Sequence, residues 1–419
     1  MLPLELPTIQ NWSCHNCGGC CRQHAIAVTP EERRRIEMQG WTADPAIGHR
    51  PLFVSSGPPW NRGCRLAHQS DGACVFLDEH GLCRIHAKFG EAAKPLACRV
   101  YPYAFHPAGR KITLSLRFSC PSVVHNQGRP VITQKPDLRE LEELVVPAGA
   151  EKMRAPPVCP GQQLDWPDLL VIVQHLEAIL ALGDLPVAAR LLRALAVVDL
   201  LGQSKFEKIR GPRLREFLEI ITLATATEVP ADLLTIHEAG PAGRVQFRLL
   251  AAQYARKDTF AECDAGWRRR WSLFRAAVQF AKGRGNVPPL QPGFVPVPFA
   301  ALEQPFGPRS AEADEMLARY LRVKVQGLHF CGRAFYDVPL VEGFQSLALI
   351  FPVVLWIARW LAAGTGRTAL AVEDVAQALA IADHHHGYSP AFGQASFRSR
   401  VCSLGKMGDI ERLIAWYDR

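Results

Sequence analysis

The chain has 419 residues, 48% of them apolar and 21% charged, which excludes wholesale disorder and gives room for two or three ordinary domains. Its formal charge is +8, a mild excess that suits an acidic partner surface but does not predict nucleic-acid binding. Residues 1–130 hold 15 Lys and Arg against 9 Asp and Glu, so most of the excess lies there, and thiolates bound to a metal would cancel part of it.

No basic residue precedes Arg22, and the start has no apolar run of signal-peptide length. A secretory signal is therefore not expected, and a cytoplasmic address keeps thiols reduced. Cys14, Cys17, Cys20 and Cys21 come next. Of the 13 cysteines, nine fall in the first 120 residues, the others of that group being Cys64, Cys74, Cys83, Cys98 and Cys120. Cys159, Cys263, Cys331 and Cys402 are scattered. The concentration marks a distinct N-terminal unit.

Three explanations compete. A disulfide framework conflicts with the missing signal. Buried, inert cysteines need no fixed spacing, whereas these are regularly spaced among polar residues and glycines. A metal site explains the spacing: two intervening residues let a tight turn aim two sulfurs at one ion, with Zn–S about 2.3 Å. Gly18 and Gly19 free the backbone for that turn. Three cysteines at this repeat also match the start of a bacterial ferredoxin motif, but its fourth position is His24 here. Adjacent Cys20 and Cys21 diverge, so both are not expected on one ion. Arg22, Arg65, Arg84 and Arg99 each follow a cysteine and are candidates for holding thiolates deprotonated.

Thr29 reads as an N-cap and Pro30 as the first residue of a short helix beside the cysteine loop. Val75–Leu77, a turn over 78–81 and Cys83–Ile85 read as a hairpin that brings Cys74 and Cys83 together. Cys98 lies between Pro95 and Pro102, which restrict the backbone beside it.

With these motifs in place the chain resembles the YkgJ-type cysteine-cluster proteins, the CxxCxxCC family, described as zinc- or iron-chelating. The stretch from Lys111 to Pro130 and the overall length are similar to the long members, which include flagellin lysine N-methylases. The resemblance covers roughly residues 14–130. It implies Cys14, Cys17, Cys20, Cys21, Cys74, Cys83, Cys98 and Cys120 as metal-site positions. It also implies methyl transfer from S-adenosylmethionine to a lysine of a flagellin-like protein, with an iron–sulfur cluster involved. No Gly-rich loop after a strand marks an ordinary donor site.

Further on, a Pro-rich stretch within 136–163 reads as a boundary. Helices are expected from Asp168 to Gly183, in a hairpin with the next, then over 213–226, 267–282, 311–325, 341–363 and 372–383. Residues 283–309 hold seven prolines and read as a long loop across the helices. Ser346–Ala358 is the best membrane candidate but is short, so a buried core helix is expected. His384–His386 read as a helix C-terminal cap rather than a metal site. The segment 330–340, with Cys331, Arg333, Tyr336 and Asp337, could line a pocket.

The expected fold is α+β, mainly α: a loop-rich metal-binding module with short strands over 1–150, then an α-helical domain over 160–419. A [4Fe–4S] cluster is favoured over zinc, with S-adenosylmethionine as the implied second cofactor. Three functions follow: a cluster-assisted lysine N-methylase, a protein whose metal staples a partner-binding fold, or an Fe–S redox carrier.

Overall fold

The computed structural model describes residues 2–57, 62–230, 232–256 and 266–419, with the side chains of 266 and 268–270 left aside. Cys263 lies outside them. The fold is α+β and mainly α. It divides into two compact units, the smaller taking in Ser13–Tyr103. Within the described residues the larger comprises 2–12, 104–256 and 267–419, so residues 104–150 belong with the helices.

The smaller unit is built on a three-stranded antiparallel sheet, Ala27–Val28 and Phe53–Ser56 flanking Gly63–Leu66. Ile36, Trp41, Ile47, Leu66, Phe76 and Ile85 form its core. The helix Pro30–Glu37 starts as expected: Thr29 Oγ1 accepts Glu32 N–H and Glu32 Oε2 accepts Thr29 N–H at 2.9 Å. Satisfying two orphan donors in this way fixes the helix start. The other oxygen of Glu32 accepts Leu96 N–H at 2.6 Å, and Arg35 donates to Lys94 O at 3.1 Å. The helix therefore clamps the segment that carries Cys98.

Of the expected hairpin only the turn is present: Val75–Leu77 is not a strand, and Leu77 meets Cys83 through an isolated bridge. Asp78 Oδ1 accepts the N–H groups of His80 and Leu82, and Gly81 takes φ +79°, so the turn forms. A Cβ on Gly81 would meet Asn16 O at 3.0 Å, so only glycine lets the cysteine loop approach this turn. Cys83–Ile85 is not a returning strand. Cys83 is the N-cap of the helix Arg84–Phe89, because the apolar return buries Ile85 on a helical face rather than an edge.

In the larger unit, Leu4–Glu5 pairs in parallel with Ile112–Leu116, whose other neighbour is Tyr103–Pro107. The helical hairpin is present as Trp166–Leu180 and Val187–Gln203. Its cap is Asp165, whose side chain accepts Asp168 N–H, rather than Asp168 itself. Asp168 instead accepts Gly211 N–H at 3.0 Å. The helices Pro212–Glu228, Gly266–Lys282, Ala311–Gln326 and Val372–His385 lie where expected.

The apolar stretch Leu340–Gly364 is long and apolar enough to cross a membrane by composition, but 83% of its most apolar window is buried in the fold. It is a core element, divided into Leu340–Ala348 and Ile350–Gly364. The proline-rich segment lies against the second of these: Phe294 stacks on Trp360 at 4.1 Å, and Trp360 Nε1 donates to Val295 O at 2.8 Å. Buried Arg359 of the same helix donates to the carbonyls of Leu302, Gln304, Tyr417 and Arg419.

Candidate metal centre

Gly18 takes φ +66° and ends the Cys14–Cys17 loop, and the short helix Gly19–Gln23 begins there. The loop leaves Cys14 and Cys17 exposed, while the helix turns Cys20 and Cys21 inward to half-burial. Their sulfurs lie 4.0 Å apart. Cys74 N–H donates to Cys21 O at 2.8 Å, which ties the second cysteine segment to the first. Leu77 bridges to Cys83 across the turn. Cys98 sits in the helix Leu96–Val100, half-buried.

The electrostatics show the same neighbourhood. The Cys21 thiol donating to Cys20 brings the Cys20 thiol down to about 6 against the opposing effect of burial, with help from the Lys94 charge. Cys21 moves strongly up, because it holds that shared proton, is buried, and faces the charges of Cys20, Cys74 and Cys83. Burial pushes Cys74 up to about 12, and Cys83 and Cys20 add to it. Burial also pushes Cys98 up, and Cys74, Cys83 and Cys20 add to that. The charges of Cys20 and Cys83 thus reach Cys21, Cys74 and Cys98, so cysteines of three segments share one electrostatic neighbourhood.

Residues 13–121 match the CxxCxxCC family. The family's model is described as "Putative zinc- or iron-chelating domain". A curated relative, the lysine-N-methylase of Salmonella choleraesuis (strain SC-B67), is 30% identical over 162 residues. That match spans 37% of this chain and 38% of the relative, so the chain covers under two fifths of the length of the curated relative it matches. No solved structure matches.

The residues of the CxxCxxCC domain fit a thiophilic metal. Burial opposes the Cys74 and Cys98 thiolates, and the charges of Cys20 and Cys83 add to it. A bound cation removes that opposition, and soft thiolates select zinc or iron–sulfur clusters. Among the described residues, no three His, Cys, Asp or Glu side chains already converge on one point. The donors are gathered in one neighbourhood but not set around one ion. Cys120, the N-cap of the helix Pro121–Val124, is buried in the larger unit. Cys64 lies in the central strand of the small sheet, and its charge acts on Arg33 rather than on the five thiols.

Lys94 is the cation that acts on the cluster, and sequence reading missed it because it is not adjacent to a cysteine. Arg22 is instead paired with Asp71 at 2.9 Å. His24, at the end of the ferredoxin-like repeat, packs its ring on Tyr101 at 5.0 Å.

The larger unit of the chain holds a second polar centre that no motif announced. Lys324 Nζ reaches Asp383 Oδ1 at 2.6 Å, Leu116 O at 3.1 Å and His329 Nδ1 at 3.1 Å. Both members of the ion pair are fully buried. The three ammonium donors are therefore all used. Asp383 Oδ2 accepts Ser119 N–H at 3.1 Å. His386 lies beside this group, its Nδ1 2.9 Å from Tyr254 OH. The histidine run does end its helix, with His386 as C-cap. Its C-cap residue is not a cation on the helix dipole, however: burial, then the Lys324 charge, drives His386 well below the usual imidazole range.

Proposed function

We propose that this chain is a cysteine-ligated metalloprotein whose metal is an iron–sulfur cluster, and that it methylates a protein lysine from S-adenosylmethionine. The observation that carries the metal is the gathering of cysteine segments: the Cys20 and Cys21 sulfurs lie 4.0 Å apart, Cys74 N–H donates to Cys21 O, Leu77 bridges to Cys83, and Cys98 feels the charges of Cys74, Cys83 and Cys20. A fully thiolate set is costly there without a cation and natural with one. The match of residues 13–121 to a zinc- or iron-chelating family agrees with it. Cys14 and Cys17, in the same unit, complete the proposed ligand pool, and Cys120 is left out of it. The exposed Cys14 and Cys17 lie on the glycine-flanked loop, where the backbone is freest to close on a cluster.

A [4Fe–4S] cluster supplies electron transfer or a Lewis-acid iron when it is bound. The protein's own part is to hold thiolates near Lys94, shield them with the Trp41 and Phe76 core, and offer the larger unit to donor and substrate. The methylase reading is supported by the similarity to the Salmonella lysine-N-methylase. A cytoplasmic location fits both reduced thiols and a cytoplasmic methyl donor. The substrate class is a folded or nascent protein, flagellin-like by the sequence resemblance.

The test is anaerobic purification followed by metal analysis and visible absorption. About four irons per chain with a broad band near 400 nm support the cluster, and lysine methylation is then assayed with flagellin. A colourless protein with tightly held zinc overturns it and makes the metal a staple for a partner-binding fold. A reversible one-electron couple without binding of S-adenosylmethionine makes it a redox protein.

A further inference from the structure

A cavity of about 710 Å³ opens in the larger unit, lined among others by Phe105, His106, Arg154, Trp166, Arg333 and Asp337. That volume is in the range of small-molecule sites, roughly 300–1,000 Å³. Lys152, Arg154 and Arg333 line it against one acid, Asp337, which leaves two positive charges in excess. Among the described residues no ion pair joins any of these four side chains to an opposite charge.

The backbone gathers the cations. Leu340 N–H donates to Pro157 O at 2.9 Å and Val341 N–H to Val158 O at 3.0 Å, so the segment after Lys152 runs beside the segment after Arg333. Gly332 lies against Pro156, where a Cβ would come within 3.1 Å of the ring. The first segment is held from its other side as well. Trp166 Nε1 donates to Met153 O at 2.7 Å, and Gln163 Nε2 to Ala155 O at 2.6 Å. Within this frame Arg333 Nη1 reaches the Met153 sulfur at 3.7 Å, beside the residues that flank it in the chain, Lys152 and Arg154. Like charges gathered without a counter-charge repel one another. Guanidinium forks match the oxygens of phosphate and carboxylate.

The rest of the lining is equally fixed. The Trp166 ring lies on Gly109, where a Cβ would come within 2.7 Å of it. Asp337 is held at φ +56° by its N–H, which donates to Gly332 O at 2.8 Å. A non-glycine residue persists in that region only where its surroundings impose it. His106 has a buried Nε2 with no hydrogen-bond partner. Its ring is 4.8 Å from that of His329, which hydrogen-bonds Lys324. A buried polar atom left without a partner calls for one, and a ligand oxygen supplies it when the imidazole proton sits on Nε2.

We infer that this cavity binds a small organic dianion, a phosphate monoester or a dicarboxylate carried on an apolar body. Arg154 and Arg333 take the anionic oxygens, Lys152 adds its charge, and His106 Nε2 donates to a further oxygen. Trp166 and Phe105 cover the apolar body. A dianion brings the lining to neutrality, whereas a neutral molecule leaves the cations repelling one another. The site is independent of the methylase reading above.

The experiment is calorimetric titration of the full chain with phenyl phosphate, phthalate and neutral benzyl alcohol, at about pH 8, where both acids are dianions. It is repeated on Arg154→Ala, Arg333→Ala and the charge-keeping Arg333→Lys, at exposed positions where folding is little at risk. Tm is recorded for each. The expected result is saturable binding of at least one dianion with Kd below about 1 mM, and none of benzyl alcohol. Phenyl phosphate alone identifies a phosphate site, phthalate alone a carboxylate site, and both together the shared dianion chemistry. Each alanine variant raises Kd about tenfold, the loss of one charge-assisted contact, and Arg333→Lys raises it less. Dianion binding that both alanine variants leave unchanged overturns the site. So does benzyl alcohol binding as tightly as the dianions, or no saturation by either dianion at about 5 mM.

Discussion

Cys74 hands its backbone N–H to the carbonyl of Cys21, so two cysteine segments far apart in sequence share one hydrogen bond at 2.8 Å. This contact places the Cys74 thiol, pushed up to about 12 chiefly by burial, against the pair Cys20 and Cys21. If the five thiols are ligands, single replacements act on metal content before they act on fold. Cys20→Ser, Cys74→Ser and Cys98→Ser are expected to hold less than about half the wild-type metal, since one lost thiolate weakens a shared site. Cys64→Ser and Cys402→Ser are expected to keep it. Metal per chain after anaerobic purification is the readout, and equal loss in all five variants would count against a defined site.

Lys94 offers a charge test on the same neighbourhood. Its cation helps lower the Cys20 thiol, after the Cys21 contact. Lys94→Gln removes the charge but leaves the backbone carbonyl that accepts from Arg35. The metal should then be released to a chelator faster than from wild type, by roughly three- to tenfold for about 1 kcal/mol of lost stabilisation. An unchanged release rate would remove Lys94 from the site.

The general architecture was legible in the sequence, and the reasons are local. Asp and Gly punctuation with 3.6-residue apolar periodicity marked the helices from Trp166 to Leu180 and from Val187 to Gln203. The Thr29–Pro30–Glu32 pattern marked its helix start. Small and basic residues blur the apolar faces of the helices Pro241–Ala255 and Ala395–Lys406, which the sequence reading does not include, nor does it include the short helix Asp409–Tyr417. The pairing of Lys324 with Asp383 and the approach of Lys94 to Cys20 are tertiary contacts between segments, and no spacing rule encodes them. Segment 330–340 reads as a candidate pocket lining, and Cys331, Arg333 and Asp337 do line a cavity. Gly332, at φ +60°, carries the usual signal of a left-handed turn, but Tyr336 at φ +51° carries none.

The buried ion pair predicts a large loss of stability when it is broken from one side. Lys324→Met leaves the fully buried Asp383 carboxylate with neutral donors, the Ser119 N–H and the neighbouring Tyr320 hydroxyl, and without the cation bonded to it. An uncompensated buried charge costs about 3–5 kcal/mol. The double variant Lys324→Met, Asp383→Leu should recover part of this, because no charge is then stranded. Urea denaturation of both, compared with wild type, reads the difference. A Lys324→Met chain as stable as wild type would mean that the pair is solvated in solution.

Three buried imidazoles predict that acid unfolds the larger unit early. Burial, with the Lys324 charge, holds His106 down to about 3. His329 is driven well below the usual range by burial, then by Lys324, His106, His386 and Arg117. His386 is lowered for the same leading reason. A depressed imidazole binds its proton less readily in the folded chain than in the unfolded one. Its contribution to stability is therefore complete above the unfolded value of about 6.5 and is lost as pH falls below it. Three such groups give a slope of up to about 4 kcal/mol per pH unit where all are in their window. The urea midpoint should hold from about pH 8 to 7 and drop steeply between about 6 and 5. His386→Gln should remove about a third of the slope, which separates imidazole protonation from loss of metal. A midpoint that does not move between pH 7 and 5 would show that these histidines are not held neutral by the fold.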